Sequence, residues 1–151
     1  KMASGACVGS IAMTEPGAGS DLKAIRTTAK AVEGGFEITG QKTFITNGYS
    51  ADLVVVAART SPEKKARGIT LFGVETGMPG FERGRKLDKI GQPESATAEL
   101  FFADVRVPAS NVIGEVVRGF IYMMERLVAE RIGAAVSNLA HARQILDETI
   151  A

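Results

Sequence analysis

Ile25-Arg26-Thr27-Thr28-Ala29-Lys30-Ala31-Val32-Glu33-Gly34-Gly35-Phe36-Glu37-Ile38-Thr39 alternates in character on both sides of a glycine pair. In an extended chain, Ile25, Thr27, Ala29 and Ala31 share one side. Gly34-Gly35 is a two-residue hairpin signal, and Phe36 to Thr39 then resumes the alternation. The stretch therefore predicts two antiparallel strands. The segments that follow carry the same signature. Lys42 to Thr46 is rich in β-branched and aromatic residues. Leu53 to Ala58 is an unbroken apolar run, short enough for a strand buried on both faces. Ile69 to Val74 and Thr97 to Phe102 complete the set. Asn47-Gly48, Pro62, Gly77-Met78-Pro79-Gly80 and Gln92-Pro93 separate the runs as turns. Residues 10 to about 110 thus read as mainly β, an antiparallel barrel or orthogonal sandwich.

After Pro108 the period changes. From about Arg118 to the end, Phe120, Met124, Leu127, Ala135, Leu139, Ala142 and Leu146 recur at helical spacing, with Arg131 as the interruption. No proline breaks this stretch. At 1.5 Å per residue it predicts one helix on the order of 50 Å long. Its apolar stripe exceeds what a small β domain covers, and no C-cap signal ends it. The expectation is a segment of a longer chain, with further helices to pack against this one.

Composition narrows the function. The 151 residues are 45% hydrophobic and 23% charged, with a formal net charge of +1 from 18 basic and 17 acidic residues. The basic residues are scattered, so neither nucleic acid nor an anionic membrane surface is indicated. The densest group, Lys64-Lys65-Ala66-Arg67, lies between Pro62 and Gly68 and reads as a solvated loop. Cys7 is the only cysteine, which excludes an internal disulfide or a cysteine metal cluster, and it reads as a small buried residue. His141 is the only histidine and reads as a packing or surface residue, with no metal site expected.

Thr14-Glu15-Pro16-Gly17-Ala18-Gly19-Ser20-Asp21 is a loop whose glycines let backbone approach a ligand. Its amides and hydroxyls suit an anion or the polar edge of a ring. It is not a dinucleotide fingerprint, because Leu22 stands where the third glycine belongs. Glu15 and Asp21 read as residues that order the loop. The octet closely resembles the signature of the acyl-CoA dehydrogenases. So do Gly40-Gln41-Lys42-Thr43-Phe44-Ile45-Thr46-Asn47-Gly48, Lys89-Ile90-Gly91-Gln92 with Ser95 to Leu100, Val107-Pro108, and Asn111-Val112-Ile113-Gly114. Motifs in this order cover nearly the whole chain. The resemblance implies the family's middle β domain at 1–114 and the truncated start of its C-terminal helical domain at 115–151.

Members of that family bind FAD and oxidise acyl-CoA to 2-enoyl-CoA. A carboxylate removes the α-proton and a hydride passes to the flavin. Resemblance places Met13 and Thr14 at the polar edge of the flavin, with the Thr14 hydroxyl donating to it. It places Phe44 against the ring, where many relatives carry tryptophan. Ile45 and Thr46 complete that contact, and Ser20 is matched to the acyl-CoA channel. For the base, Leu127-Val128-Ala129-Glu130-Arg131 is similar to the pattern of the isovaleryl-CoA and long-chain acyl-CoA dehydrogenases, which implies Glu130. Arg131 is expected to orient the site or contact substrate. Helical spacing independently sets Met123, Leu127, Glu130, Ala134 and Ser137 on one face. Burial on that stripe would favour proton uptake by the carboxylate. A plain ion pair between Glu130 and Arg126 is the competing reading.

The resemblance further implies an electron-transferring flavoprotein as acceptor and a homodimer or homotetramer. It implies a cytoplasmic location in a bacterium or the mitochondrial matrix in a eukaryote. An acyl-CoA oxidase or flavin monooxygenase of the same superfamily is the alternative activity, and a non-catalytic module is the alternative class. The isolated segment is expected to be inactive and to hold FAD weakly or not at all.

Overall fold

A computed structural model describes all residues from Lys1 to Ala151. The chain divides into two compact units, Lys1–Phe120 and Ile121–Ala151. The first is built on eight strands: β1 (Gly9–Ala12), β2 (Thr28–Val32), β3 (Gly35–Ile45), β4 (Leu53–Arg59), β5 (Ile69–Glu75), β6 (Phe81–Lys86), β7 (Ala98–Pro108) and β8 (Val112–Ile113). They form one sheet in the order β6-β7-β3-β2-β4-β5-β8, with β1 added beside β4. Most pairings are antiparallel, as the hairpin signals predict. Two are parallel: β1 runs along β4 from Gly9↔Leu53 to Ala12↔Val56, and β2 meets β4 at Thr28↔Arg59. The sheet is therefore mixed.

Inward residues of β1 to β5 and β7 share one core, including Ala12, Ala29, Ile38, Val54, Phe72 and Leu100. Phe36 of β3 meets Phe72 of β5 edge to face at 5.0 Å, and Phe81 meets Phe102 at 5.4 Å. Such aromatic pairs contribute about 0.5–1.5 kcal/mol each beyond the area they bury. Strand β4 is buried or half-buried along its length, which matches its unbroken apolar run, and β5 is buried from Ile69 to Val74, Thr70 included.

The hairpin between β2 and β3 falls one residue earlier than the glycine pair suggests. Val32 pairs with Gly35, so Glu33 and Gly34 form the turn, with Gly34 at φ 79°. Gly35 serves another end: a Cβ there would lie 2.1 Å from the Val107 carbonyl of β7. The expected strand at Ile25 begins only at Thr28, after a 3-10 turn at Leu22–Ala24 that Asp21 caps by accepting from the Lys23 amide at 3.1 Å. Ile25, Thr27 and Ala29 are buried as expected, whereas Ala31 is exposed. The two runs at Phe36–Thr39 and Lys42–Thr46 are one long strand. It is bent at Gly40, whose φ of 152° and absent Cβ admit Thr27.

Strand β7 extends six residues beyond the expected Phe102. Asp104, at φ 55°, carries it through a register shift, after which Val105 and Val107 turn inward again. The Asp104 carboxylate accepts from the Thr39 hydroxyl at 2.6 Å. Strand β6, with the sequence Phe-Glu-Arg-Gly-Arg-Lys, carries too many charges to signal a strand. It is an edge strand paired to β7 alone. Lys64, Lys65 and Arg67 are exposed on the turn Pro62–Gly68, as a solvated loop requires. Cys7 is half-buried rather than buried.

The helix α1 spans Gly119–Ile150, 32 residues, close to the predicted extent. Of its apolar stripe, Phe120, Met124 and Leu127 are half-buried, whereas Ala135, Leu139, Ala142 and Leu146 are exposed, as are Val128, Ile132, Val136, Ile145 and Ile150. His141 is exposed, one of the two expected settings. No helix is long and apolar enough to cross a membrane.

Candidate functional site

Strand β1 leads directly into the motif loop, and the C-terminal end of β3 runs beside it. Two hydrogen bonds fix the pairing. The Ser10 hydroxyl donates to the Thr46 carbonyl at 2.8 Å, and the Thr43 amide donates to the Thr14 carbonyl at 3.0 Å. These bonds bring Met13 and Thr14 alongside Phe44, Ile45 and Thr46, the five residues expected to meet the cofactor. They lie about 30 positions apart in sequence, and β-sheet topology alone joins them.

The side chains in this patch divide by role. Ile45 is 2% exposed and anchors the end of β3 in the core. Phe44, between two buried neighbours, points outward and is 67% exposed. It occupies a bulge, where the β3–β7 register shifts between Lys42 and Ile45, and its φ is 57°. A left-handed conformation at a non-glycine residue costs about 1–2 kcal/mol. The fold thus holds an aromatic ring outside the core against local preference. Ile11 is 44% exposed, Thr46 is exposed, and Met13 and Thr14 are half-buried. The Thr14 amide and hydroxyl and the Thr46 hydroxyl find no acceptor within the chain. An apolar platform edged by free donors fits a flat heteroaromatic ring with a polar rim. The donor set therefore suits a flavin: Phe44 for its face, Thr14 and Thr46 for its polar edges.

Beneath this patch lies a buried ion pair that pattern reading did not single out. The Lys42 Nζ is 2.8 Å from the Glu15 Oε1, with side-chain exposures of 0% and 6%. It also donates to the Met13 carbonyl at 3.1 Å. The remaining acceptors of Glu15 take the Arg26 amide at 2.5 Å and the Thr27 amide at 3.0 Å. Glu15 orders its loop, as expected, but as one half of a buried pair. Burial alone pushes the Glu15 carboxyl up. The hydrogen bond and charge of Lys42, with hydrogen bonds from Thr27 and Arg26, outweigh it and hold the group below the ordinary carboxylate range. Burial pulls the Lys42 ammonium down, and the hydrogen bond and charge of Glu15 offset only part of that.

A pH dependence follows from Glu15. Its folded-state pKa is depressed, so its stabilisation is complete above the ordinary value of 4.5 and is lost as pH falls through the folded value. Glu15→Gln resembles the protonated acid at every pH. Urea denaturation is therefore expected to show a wide stability gap between wild type and Glu15→Gln at neutral pH, narrowing steadily below pH 4.5. A gap that stays constant on acidification would refute this assignment.

Ser20 is exposed on the same loop as Thr14, beyond the Glu15↔Ala18 bridge. Glu130 and Arg131 belong to the second unit, and both are exposed on α1. The burial anticipated for Glu130 is not present in this chain: on its face of α1, Met123 is buried and Leu127 half-buried, but Glu130, Ala134 and Ser137 are exposed. The close ion pair on α1 is Arg143–Asp147 at 3.7 Å, not Arg126–Glu130. No group of histidine, cysteine, aspartate and glutamate side chains is disposed to hold a metal ion.

The family profile for the acyl-CoA dehydrogenase middle domain matches residues 10–105. The mitochondrial long-chain specific acyl-CoA dehydrogenase of Sus scrofa is 50% identical over 151 residues, covering 99% of this chain and 35% of its own length. The mitochondrial isovaleryl-CoA dehydrogenase of Oryza sativa subsp. japonica is 42% identical over 150 residues, covering 99% and 37%. Among solved structures, an acyl-CoA dehydrogenase from Geobacillus kaustophilus superposes with a TM-score of 0.81 at 55% identity, covering 84% of this chain and 34% of that one. The chain spans about a third of the length of the curated relatives it matches.

Proposed function

The chain belongs to the acyl-CoA dehydrogenase family, and from that premise we propose that it supplies the flavin-facing β segment and the base-bearing helix of an FAD-dependent acyl-CoA dehydrogenase. The observation that carries the reading is the patch of Met13, Thr14, Phe44 and Thr46, where an outward aromatic ring lies beside free donors. FAD, when bound, supplies the acceptor for the hydride leaving the β-carbon of the acyl chain. Thr14 donates through its amide and hydroxyl to the polar edge, where negative charge grows during the reaction. Phe44 excludes water from the ring face, and Thr46 fixes the ring edge beside it.

Glu130 takes the α-proton of the thioester, and Arg131 and Ser20 orient the acyl-CoA. Leu127-Val128-Ala129-Glu130-Arg131 supports this role, since the two relatives named above are long-chain and isovaleryl-CoA enzymes. Residues 1–114 act as the middle β domain and residues 115–151 as the beginning of a helical domain. An electron-transferring flavoprotein is the proposed electron acceptor, and a homo-oligomer the proposed assembly. The proposed compartment is the mitochondrial matrix in a eukaryote or the cytoplasm in a bacterium.

The test uses the whole protein loaded with FAD. Straight-chain or branched acyl-CoA, added without oxygen, is expected to bleach the visible flavin absorbance within the mixing time or seconds after it. Flavin that stays oxidised with both classes of acyl-CoA overturns the reading.

A further inference from the structure

Lys42 heads the fully buried side chains by size, yet it carries a charge. Stability does not account for it. A buried ion pair is often no more stabilising than apolar residues of similar volume, because desolvation offsets the attraction. Its position suggests a different task. Three successive residues of the motif loop are tied to two successive residues of β3. The Met13 carbonyl and the Glu15 carboxylate accept from the Lys42 ammonium, and the Thr14 carbonyl accepts from the Thr43 amide.

The Met13 carbonyl and the Thr14 amide belong to one planar trans peptide, so they point in opposite directions. Drawing the Met13 oxygen inward to Lys42 turns the Thr14 N–H outward. The same cation polarises that peptide and strengthens the N–H as a donor, since hydrogen bonds in series reinforce one another. Glu15 keeps the ammonium in place and is itself held by the Arg26 and Thr27 amides. Gly40 makes room for this arrangement, because a Cβ there would lie 2.5 Å from the Thr27 hydroxyl oxygen.

We propose that Lys42, held by Glu15, is a positioning residue that aims and strengthens the Thr14 amide toward the flavin, and so sets flavin affinity and reduction potential. This deepens the function proposed above and rests on it. Lys42 does not touch the flavin; it acts through the Met13–Thr14 peptide.

The experiment compares the whole wild-type protein with the double variant Glu15→Gln/Lys42→Met, which removes both charges together and leaves no unpaired ion. The double variant is expected to bind FAD at least tenfold more weakly. Its flavin potential is expected to fall by about 30 mV, the equivalent of a tenfold loss in the preference for reduced over oxidised flavin in a two-electron couple. A purely structural pair would leave that potential unmoved. In the wild type, hydrogen exchange at the Thr14 amide gives an independent reading: rapid exchange without FAD and strong protection with it. A flavin-loaded wild type beside a variant of unchanged affinity and potential overturns the positioning role alone. So does a Thr14 amide that FAD does not protect, which also decides the matter if the double variant fails to fold. A wild type that takes up no FAD overturns the function reading, and the positioning role with it.

Discussion

Glu130→Gln in the whole protein is expected to slow flavin reduction by acyl-CoA on the order of 10³-fold, while FAD content and acyl-CoA binding stay close to wild type. Glutamine keeps the length and the hydrogen-bonding shape of glutamate but cannot accept the α-proton. Without that acceptor the carbanion character that drives the hydride transfer cannot develop, so the loss falls on the chemical step. Glu130 lies on the second unit and is exposed in this chain, whereas the donors assigned to the flavin edge lie on the first unit. The substitution should therefore leave the visible spectrum of the oxidised flavin intact. Stopped-flow bleaching without oxygen measures both quantities. If the variant bleaches at the wild-type rate, Glu130 is not the base and another carboxylate removes the proton, although the family assignment stands.

The elements of the fold were legible to different degrees. Strands β4 and β5 are written plainly in Leu53–Ala58 and Ile69–Val74, because burial on both faces requires runs that are wholly or, with Thr70, mostly apolar. The helix is equally plain, since 32 residues without proline sustain one period. Strand β6 was hidden, because its exposed Glu82, Arg83, Arg85 and Lys86 show no alternation. The second half of β7 was hidden by Asp104, which breaks the alternation with a bulge and so shifts Val105 and Val107 in phase. Gly35 shows the limit of reading glycine as punctuation, for its missing side chain answers to the Val107 carbonyl rather than to the turn.

The flavin-facing residues were reachable through their motifs, but their meeting is a property of topology. Nothing local says that Thr14 lies against Thr43 or Ser10 against Thr46. Phe44 carries a partial signal: an aromatic amid Lys-Thr-Phe-Ile-Thr belongs to a strand, and strand phase alone would set it opposite Thr43 and Ile45, both buried. Its exposure follows that phase, and the bulge then sharpens the turn outward. Lys42 shows the opposite case. In strand phase with Phe44 it is expected on the solvent side, and the register shift between them sends it into the core. A lysine gives no sequence signal that it will be buried, since its carboxylate partner lies 27 positions away.

That burial makes Lys42→Met the substitution with the largest expected effect on stability. Methionine fills most of the space but leaves Glu15 as a buried carboxylate that keeps the Arg26 and Thr27 amides and loses its cation. Removing one member of a buried pair costs about 3–5 kcal/mol, most of it from the uncompensated charge that remains. Urea denaturation of the whole protein at neutral pH is expected to show a loss of that size. Two comparisons separate this cause from a packing defect. Adding Glu15→Gln should restore most of the stability, because neutral glutamine still accepts one of the two amides and needs no counter-ion. Lowering the pH should also shrink the deficit, because protonation of Glu15 removes the unpaired charge, and with Lys42 gone its carboxyl gives up its ion pair and takes a proton more readily than in wild type. A deficit that survives both the second substitution and acidification would mean that Lys42 stabilises the β unit through the packing of its methylene stem, and that its charge is incidental to the fold.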